Sequence, residues 1–284
     1  MTNKEDYNWD LIIKPNTGWF GFHLGDLLKY RDLIYLFVKR NFVTFYKQTI
    51  LGPLWYIIQP LMNTVIFTVI FSNVAKIPTD GIPPFLFYMS GTVIWGYFST
   101  CLNGTSNTFV KHAAIFGKVY FPRLTVPFSV VITGFFQFGL QFVIFLGFYF
   151  YFLSSGAEIK PNVFILTLPL ILFQMAILGL GVGILISSLV TKYRDLTFAM
   201  TFVVQLWMYL TPVVYPLTQV PERFRTIYVM NPMASIVESF RAAFLGESSI
   251  EPVHIMISVS VTVFIFFLGV IMFSKVEKTF MDTV

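Results

Sequence analysis

An all-α polytopic membrane protein is the fold class this sequence predicts. It is expected to have six transmembrane helices, an N-terminal amphipathic interface helix and two short re-entrant helices before the sixth span. Three observations carry that expectation. Of 284 residues, 56% are hydrophobic and only 12% are charged, about half the roughly 25% charged share of a soluble domain. The charges are excluded from long stretches: between Thr125 and Thr191 only Glu158 and Lys160 occur. Six segments are apolar over the about 20 residues that a helix needs to cross a bilayer.

In chain order, residues 1–52 are expected to form a cytoplasmic N-terminal segment and 53–284 the six-span transmembrane domain. The first 25 residues hold Lys4, Glu5, Asp6, Asp10 and Lys14 with no apolar core, so no cleavable signal peptide is expected. Asp26–Gln48 brings Leu27, Tyr30, Ile34, Phe37 and Phe45 near one helical face, opposite Lys29, Asp32, Lys39, Arg40 and Lys47. That pattern fits an amphipathic helix lying in the cytoplasmic interface. A solvated helix of a cytosolic domain is the alternative, but there is little chain from which to build one.

The spans are expected at about 53–75, 85–103, 128–153, 162–189, 196–214 and 252–274, and none contains Asp, Glu, Lys or Arg. Pro78, Pro83, Pro84, Pro122, Pro161 and Pro216 punctuate the connections. Six spans place both termini on one side. That side would hold 14 Lys and Arg against 5 on the other, which favours cytoplasmic termini. The pair Gly179 and Gly183 reads as close helix packing. On the outer side, 215–251 carries Pro216, Pro221, Pro232 and Gly246 among several charges. Asn231 can cap a helix starting at Pro232, and Glu238 and Arg241 are spaced to pair on it. Two short helices dipping into the outer leaflet fit this segment. Non-spanning backbone at that depth needs protein or a water-filled cavity to satisfy it, which points to a pore mouth.

Chemistry at membrane depth is sparse. The single Cys101 forbids an internal disulfide or a Cys-rich metal site. His23, His112 and His254 lack ligand spacing, and Gly117-Lys118 lacks the rest of a phosphate loop. No intramembrane acid or base is present to couple an ion gradient. The net charge of +5 falls in loops, where it sets orientation rather than marking a nucleic-acid partner. The spans do offer neutral polarity and aromatic surface: Trp55, Tyr56, Gln59, Asn63, Thr64 and Thr68 in the first, Tyr88, Ser90, Thr92, Trp95, Tyr97, Ser99, Thr100 and Asn103 in the second, and Thr201, Gln205, Trp207, Tyr209 and Thr211 in the fifth. Such groups suit sugar rings, with their apolar faces and hydroxyl edges. Equally, Trp and Tyr mark bilayer interfaces and Ser and Thr pack between helices.

Five motifs carry a family resemblance: Tyr46–Trp55 (YKQTILGPLW) with Gln59-Pro60, Lys118–Arg123 (KVYFPR), Tyr193–Leu196 (YRDL), Thr211–Pro216 (TPVVYP), and Asn231–Met233 (NPM) with Glu238–Arg241 (ESFR). In this order they resemble the membrane permeases of ABC-type exporters of lipid-linked polysaccharides, which serve O-antigen, capsule and teichoic acid export. The resemblance implies a second copy of the chain, two separate ABC ATPase subunits that hold ATP and magnesium, and no cofactor or catalytic residue on this chain. It implies a conduit carried most naturally by Trp55, Tyr56, Tyr88, Trp95 and Trp207, and an outer gate with Tyr215, Asn231, Glu238 and Arg241. The stretch Thr105–Arg123 resembles the coupling element to the ATPase, with Phe109, Lys111, His112, Ile115, Phe116 and Lys118 as docking candidates. Lys39, Arg40 and Lys47 are candidates for a lipid diphosphate, although lipid headgroups would explain them equally well. The expected cargo is an undecaprenyl-diphosphate-linked O-antigen crossing the bacterial inner membrane. A permease for teichoic acid or capsule, or for a drug or small lipid, is the alternative. A membrane enzyme handling lipid-linked sugars would require acids, bases or metal ligands at the membrane face, and those are scattered.

Overall fold

The computed structural model describes residues 24–47, 50–246 and 251–283, and among them every regular element is helical. The elements are α1 (Leu24–Lys29), α2 (Arg31–Lys47), α3 (Trp55–Phe67), α4 (Pro84–Ser106), α5 (Thr108–Phe116), α6 (Thr125–Ser154), α7 (Leu168–Val190), α8 (Leu196–Tyr209), α9 (Glu222–Met230), α10 (Pro232–Leu245) and α11 (Pro252–Thr283). Short 3-10 turns precede α3 and α7, and α3 runs on as a π-helix over Thr68–Val74.

Helix α4 is the axis of the molecule. Pro84 sits in its first turn, where a missing N–H costs nothing. Of its most apolar stretch 78% is buried inside the chain, against 6% for Gly52–Val74. Helices α3, α6, α7, α8 and α10 all contact it. Glycines allow the closest approaches. A Cβ on Gly179 would stand 2.8 Å from that of Cys101 on α4, and one on Gly183 would collide with Thr105. On the opposite side of α7, a Cβ on Gly181 would stand 2.8 Å from the Phe266 backbone of α11. The alternating glycines therefore wedge α7 between α4 and α11.

Among the described residues, five helical segments are long and apolar enough to cross a membrane: Gly52–Val74, Pro84–Ser106, Thr125–Ser154, Val163–Val190 and Pro252–Lys278. The fifth expected segment, 196–214, differs. Its helix α8 has 14 residues, about 21 Å at 1.5 Å per residue, short of a hydrocarbon core of about 30 Å. The chain then turns through Leu210–Tyr215, because Pro212 can neither donate to nor fit within a continued helix.

The amphipathic segment also differs from expectation in being two helices, broken at Tyr30. Its inward face nonetheless matches: Leu27 and Phe37 are buried, and Tyr30 and Ile34 are half-buried. Phe37 meets Phe121, and Phe42 meets Phe136 of α6, at ring separations of 5.8 and 6.5 Å. Gln48 and the side chain of Phe45 lie outside the described residues, as do Lys4 and Lys14.

Candidate functional site

Rows of exposed neutral polar residues mark α3 and α8, whereas α4 exposes the single amide Asn103 near its end, donating to Ser99. Gln59 and Asn63 on α3 are exposed one turn apart, and Thr201, Gln205 and Tyr209 form a similar exposed row on α8. By contrast, α6 and α7 show no fully exposed Asn or Gln, and α11 contains neither residue within Pro252–Thr283. An amide facing hydrocarbon without a partner is costly, so these two rows are poorly suited to contact with lipid. Their i, i+4 spacing was a readable signal that composition alone had blurred.

The five aromatic conduit candidates do not share one surface. Trp55 is 46% exposed and Tyr56 is half-buried; the Tyr56 carbonyl accepts the Gln141 amide of α6 at 3.0 Å. Tyr88 and Trp95 are buried inside the chain. Trp95 packs on Phe98 at 5.2 Å and on Trp207 at 6.5 Å, so it backs the half-buried Trp207 rather than standing beside it.

The end of the molecule that carries α9 and α10 is organised around Asn231 and Arg241. The Asn231 Oδ1 caps α10 by accepting the Met233 N–H at 3.1 Å and also accepts the Trp207 indole N–H at 3.0 Å. Its Nδ2 donates to Thr211 Oγ1 at 3.0 Å and to the Leu210 carbonyl at 3.3 Å. One side chain thus closes the start of α10 against the end of α8. Arg241 is fully buried. It donates to the carbonyls of Pro212 (2.6 Å) and Val213 (2.8 Å), to Glu238 (3.0 Å) and to Ser90 of α4 (3.3 Å). Its guanidinium lies 3.7 Å from the centre of the Phe87 ring. Glu238 and Arg241 do pair as their spacing predicts, but as a buried clasp without an exposed face. Gly91 leaves room for the clasp, since a Cβ there would stand 2.9 Å from the Val213 carbonyl. Sequence reading missed Phe87 and Gly91 and took Ser90 only as polarity of the second span; the signal was an Arg–Glu pair on an otherwise largely apolar helix. Tyr215 donates its hydroxyl to the Tyr209 carbonyl (2.8 Å) and lies 2.7 Å from the Tyr228 hydroxyl. Burial and that partner push the Tyr215 phenol above its ordinary range, so it stays protonated.

At the opposite end, α5 turns its phenylalanines inward. Phe109 is buried, stacked on Phe273 of α11 at 4.5 Å, and its N–H meets Ser187 Oγ of α7 at 3.4 Å. Phe116 packs on Phe109 and Phe121 at 6.0 and 5.7 Å. The expectation that both reach a partner is therefore corrected: they anchor α5 to its own chain. His112 and Ile115 are half-buried, while Val110, Lys111, Ala114, Lys118, Val119 and Tyr120 are exposed. Of the cationic candidates on α2, Lys39 and Lys47 are free to solvent. Arg40 instead turns toward α5, with Nη2 at 3.3 Å from His112 Nε2. Among the described residues no three His, Cys, Asp or Glu side chains come together as a metal site.

Residues 32–245 match the ABC-2 type transporter family. The chain is 28% identical over 262 residues to an O-antigen export system permease protein RfbA of Klebsiella pneumoniae, covering 92% of this chain and 97% of that one. It is 27% identical over 241 residues to the protein of that name from Myxococcus xanthus, covering 83% and 90%. With three quarters of its length inside one family's boundaries, and with helices of the length and composition that cross membranes, the chain belongs to the ABC-2 type transporter family as a membrane transport subunit.

Proposed function

We propose that this chain is the conduit-forming permease of an ATP-driven exporter of lipid-linked polysaccharide, of the O-antigen class, in the bacterial inner membrane. Two copies line the conduit, each seated on a separate ATPase subunit that binds ATP and magnesium. The single observation that carries the reading is the pair of exposed neutral-polar rows, Gln59 and Asn63 on α3 and Thr201 and Gln205 on α8. Uncharged amides and hydroxyls beside Trp55 and Trp207 suit a polymer of hydroxyls with apolar ring faces. Tyr88 and Trp95 serve as the packed layer behind that wall. The names of the O-antigen export relatives agree with this cargo.

In this reading the chain crosses six times. Helix α8 makes the fifth crossing, with the re-entrant α9 and α10 completing its depth. Both termini are cytoplasmic, as the basic residues favour. The ATPase meets the exposed side of α5 and the loop beyond it, through Lys111, Lys118, Val119 and Tyr120. Lys39 and Lys47 remain open to a diphosphate headgroup, whereas Arg40 is turned to α5.

The test is a Gln59→Leu, Gln205→Leu double variant returned to cells lacking the chain. Surface polysaccharide should fall several-fold, while the amount of chain in the membrane and the ATPase copurifying with it stay unchanged. Export at the level of the unaltered chain would overturn the conduit assignment.

A further inference from the structure

A cleft of about 510 Å³ lies at the end of the molecule opposite α5, between residues 75–78 and the connection running from Tyr215 into α9. That volume is within the about 300–1,000 Å³ typical of small-ligand sites. Its lining is mixed in chemistry. The rings of Tyr215, Phe224 and Tyr228 supply apolar faces, and Lys76 and Gln219 stand exposed at its edge. The walls are held in place by specific bonds. Thr218 bridges to both carboxylate oxygens of Asp80, at 3.1 and 3.0 Å, clamping the two loops together. The Lys76 and Asp80 backbones adopt left-handed conformations (φ 52° and 51°), a strain that persists only where the surrounding contacts enforce it.

The phenol pair is ordered as well. The Tyr215 proton is committed to the Tyr209 carbonyl, so Tyr228 donates to Tyr215 and keeps its own oxygen open as an acceptor. The two rings stand edge-to-face at 6.2 Å. One side of Phe224 is met by the Arg223 guanidinium at 4.6 Å. Lys76 follows Ala75, the residue that caps the π-helical end of α3, the helix that carries Gln59 and Asn63.

We infer that this cleft is a saccharide subsite at the outer mouth, taking one or two pyranose units of the emerging polymer. The ring faces receive the sugar's CH face, and the Gln219 amide, the Lys76 ammonium and the Tyr228 oxygen meet its hydroxyl edge. The assignment rests on the exporter reading above and extends it from the membrane wall to a discrete exit contact.

A reporter cysteine at Glu222→Cys tests it without touching the lining, since the native Cys101 is buried. The assembled transporter is treated with a membrane-impermeant maleimide. The probe is delipidated oligosaccharide released from the host's own surface polysaccharide, with isomaltoheptaose as control. Labelling from outside, slowed by the host oligosaccharide alone, is the expected result. Adding Phe224→Ala should raise the oligosaccharide concentration needed for protection by about two- to tenfold, the loss of one aromatic contact. A cysteine that never reacts would mean that the cleft is covered in the assembly, which overturns the proposal. Labelling that no oligosaccharide slows, in a transporter that still exports, overturns the cleft alone and leaves the exporter reading standing. Removal of the chain without loss of surface polysaccharide removes that reading and the subsite with it.

Discussion

Arg241 shows how much one side chain can hold. It binds two carbonyls past the end of α8, a carboxylate on its own helix and a hydroxyl on α4, with both charged partners of its ion pair almost fully enclosed. Removing one member of such a pair strands the other's charge, at a cost of about 3–5 kcal/mol. Arg241→Met should therefore lower the melting midpoint in detergent sharply. The double change Arg241→Met, Glu238→Leu should lower it less, because no charge is left unpaired. Equal losses in the two variants would show that the carbonyl contacts, not the ion pair, dominate. The i, i+3 spacing made the pairing legible in the sequence. The Pro212 and Val213 carbonyls, Ser90 and the Phe87 ring were not legible, because they reach Arg241 only through tertiary folding. Asn231 divides in the same way: its capping role follows from the proline after it, whereas its bond to the Trp207 indole does not.

Among the elements, the spans were the most legible, since a helix in hydrocarbon must exclude charge over its whole length. Their faces were less so. Hydropathy does not distinguish an apolar side chain that packs on its own chain from one that docks a partner, and Phe109 and Phe116 on α5 are of the first kind. Nor does it separate helix from turn, so the apolar run through Val214 concealed the end of α8 at Tyr209. The α2–α5 junction leads to a prediction about pH. An arginine can only donate, so His112 accepts from Arg40 on Nε2 and carries its proton on Nδ1, 3.2 Å from the Thr108 carbonyl. Burial holds its pKa below the ordinary 6.5; the nearby charges of Arg40 and Lys111 add to this, and the Thr108 carbonyl opposes it. A depressed imidazole contributes stability that is full above about 6.5 and is lost as the pH falls through the folded value. The melting midpoint should thus drop between pH 7.5 and 5.5, and His112→Gln should flatten that part of the profile. An equally steep profile in His112→Gln would assign the acid sensitivity to another group.

At the scale of the whole molecule, burial is unevenly shared. Helix α4 is enclosed, α6, α7 and α11 each have about a quarter of their most apolar stretch buried, and Gly52–Val74 has almost none. Exposure to lipid explains the outer faces of α6 and α11, which are apolar along their central turns except for Ser260, whose hydroxyl donates to the Met256 carbonyl of its own helix. It does not explain α3 and α8, whose exposed apolar residues (Ile66, Val69, Phe198 and Phe202) alternate with Gln59, Asn63, Thr201 and Gln205. Helices polar on one row and apolar on the next are suited to a boundary, with one row toward a wet conduit and the other against protein. In the proposed two-copy assembly that protein is the second chain, meeting α3 and α8 along their apolar rows. Single cysteines distinguish this from a lipid-facing surface. Phe202→Cys on α8 and Phe264→Cys on α11 replace side chains of similar exposure, 65% and 68%, in a chain whose only native cysteine is buried. With a short bifunctional maleimide in native membranes, Phe202→Cys should give a cross-linked pair of chains and Phe264→Cys should not. The reverse pattern would place the second copy against α11, and α3 and α8 would then need a different explanation for their exposed amides.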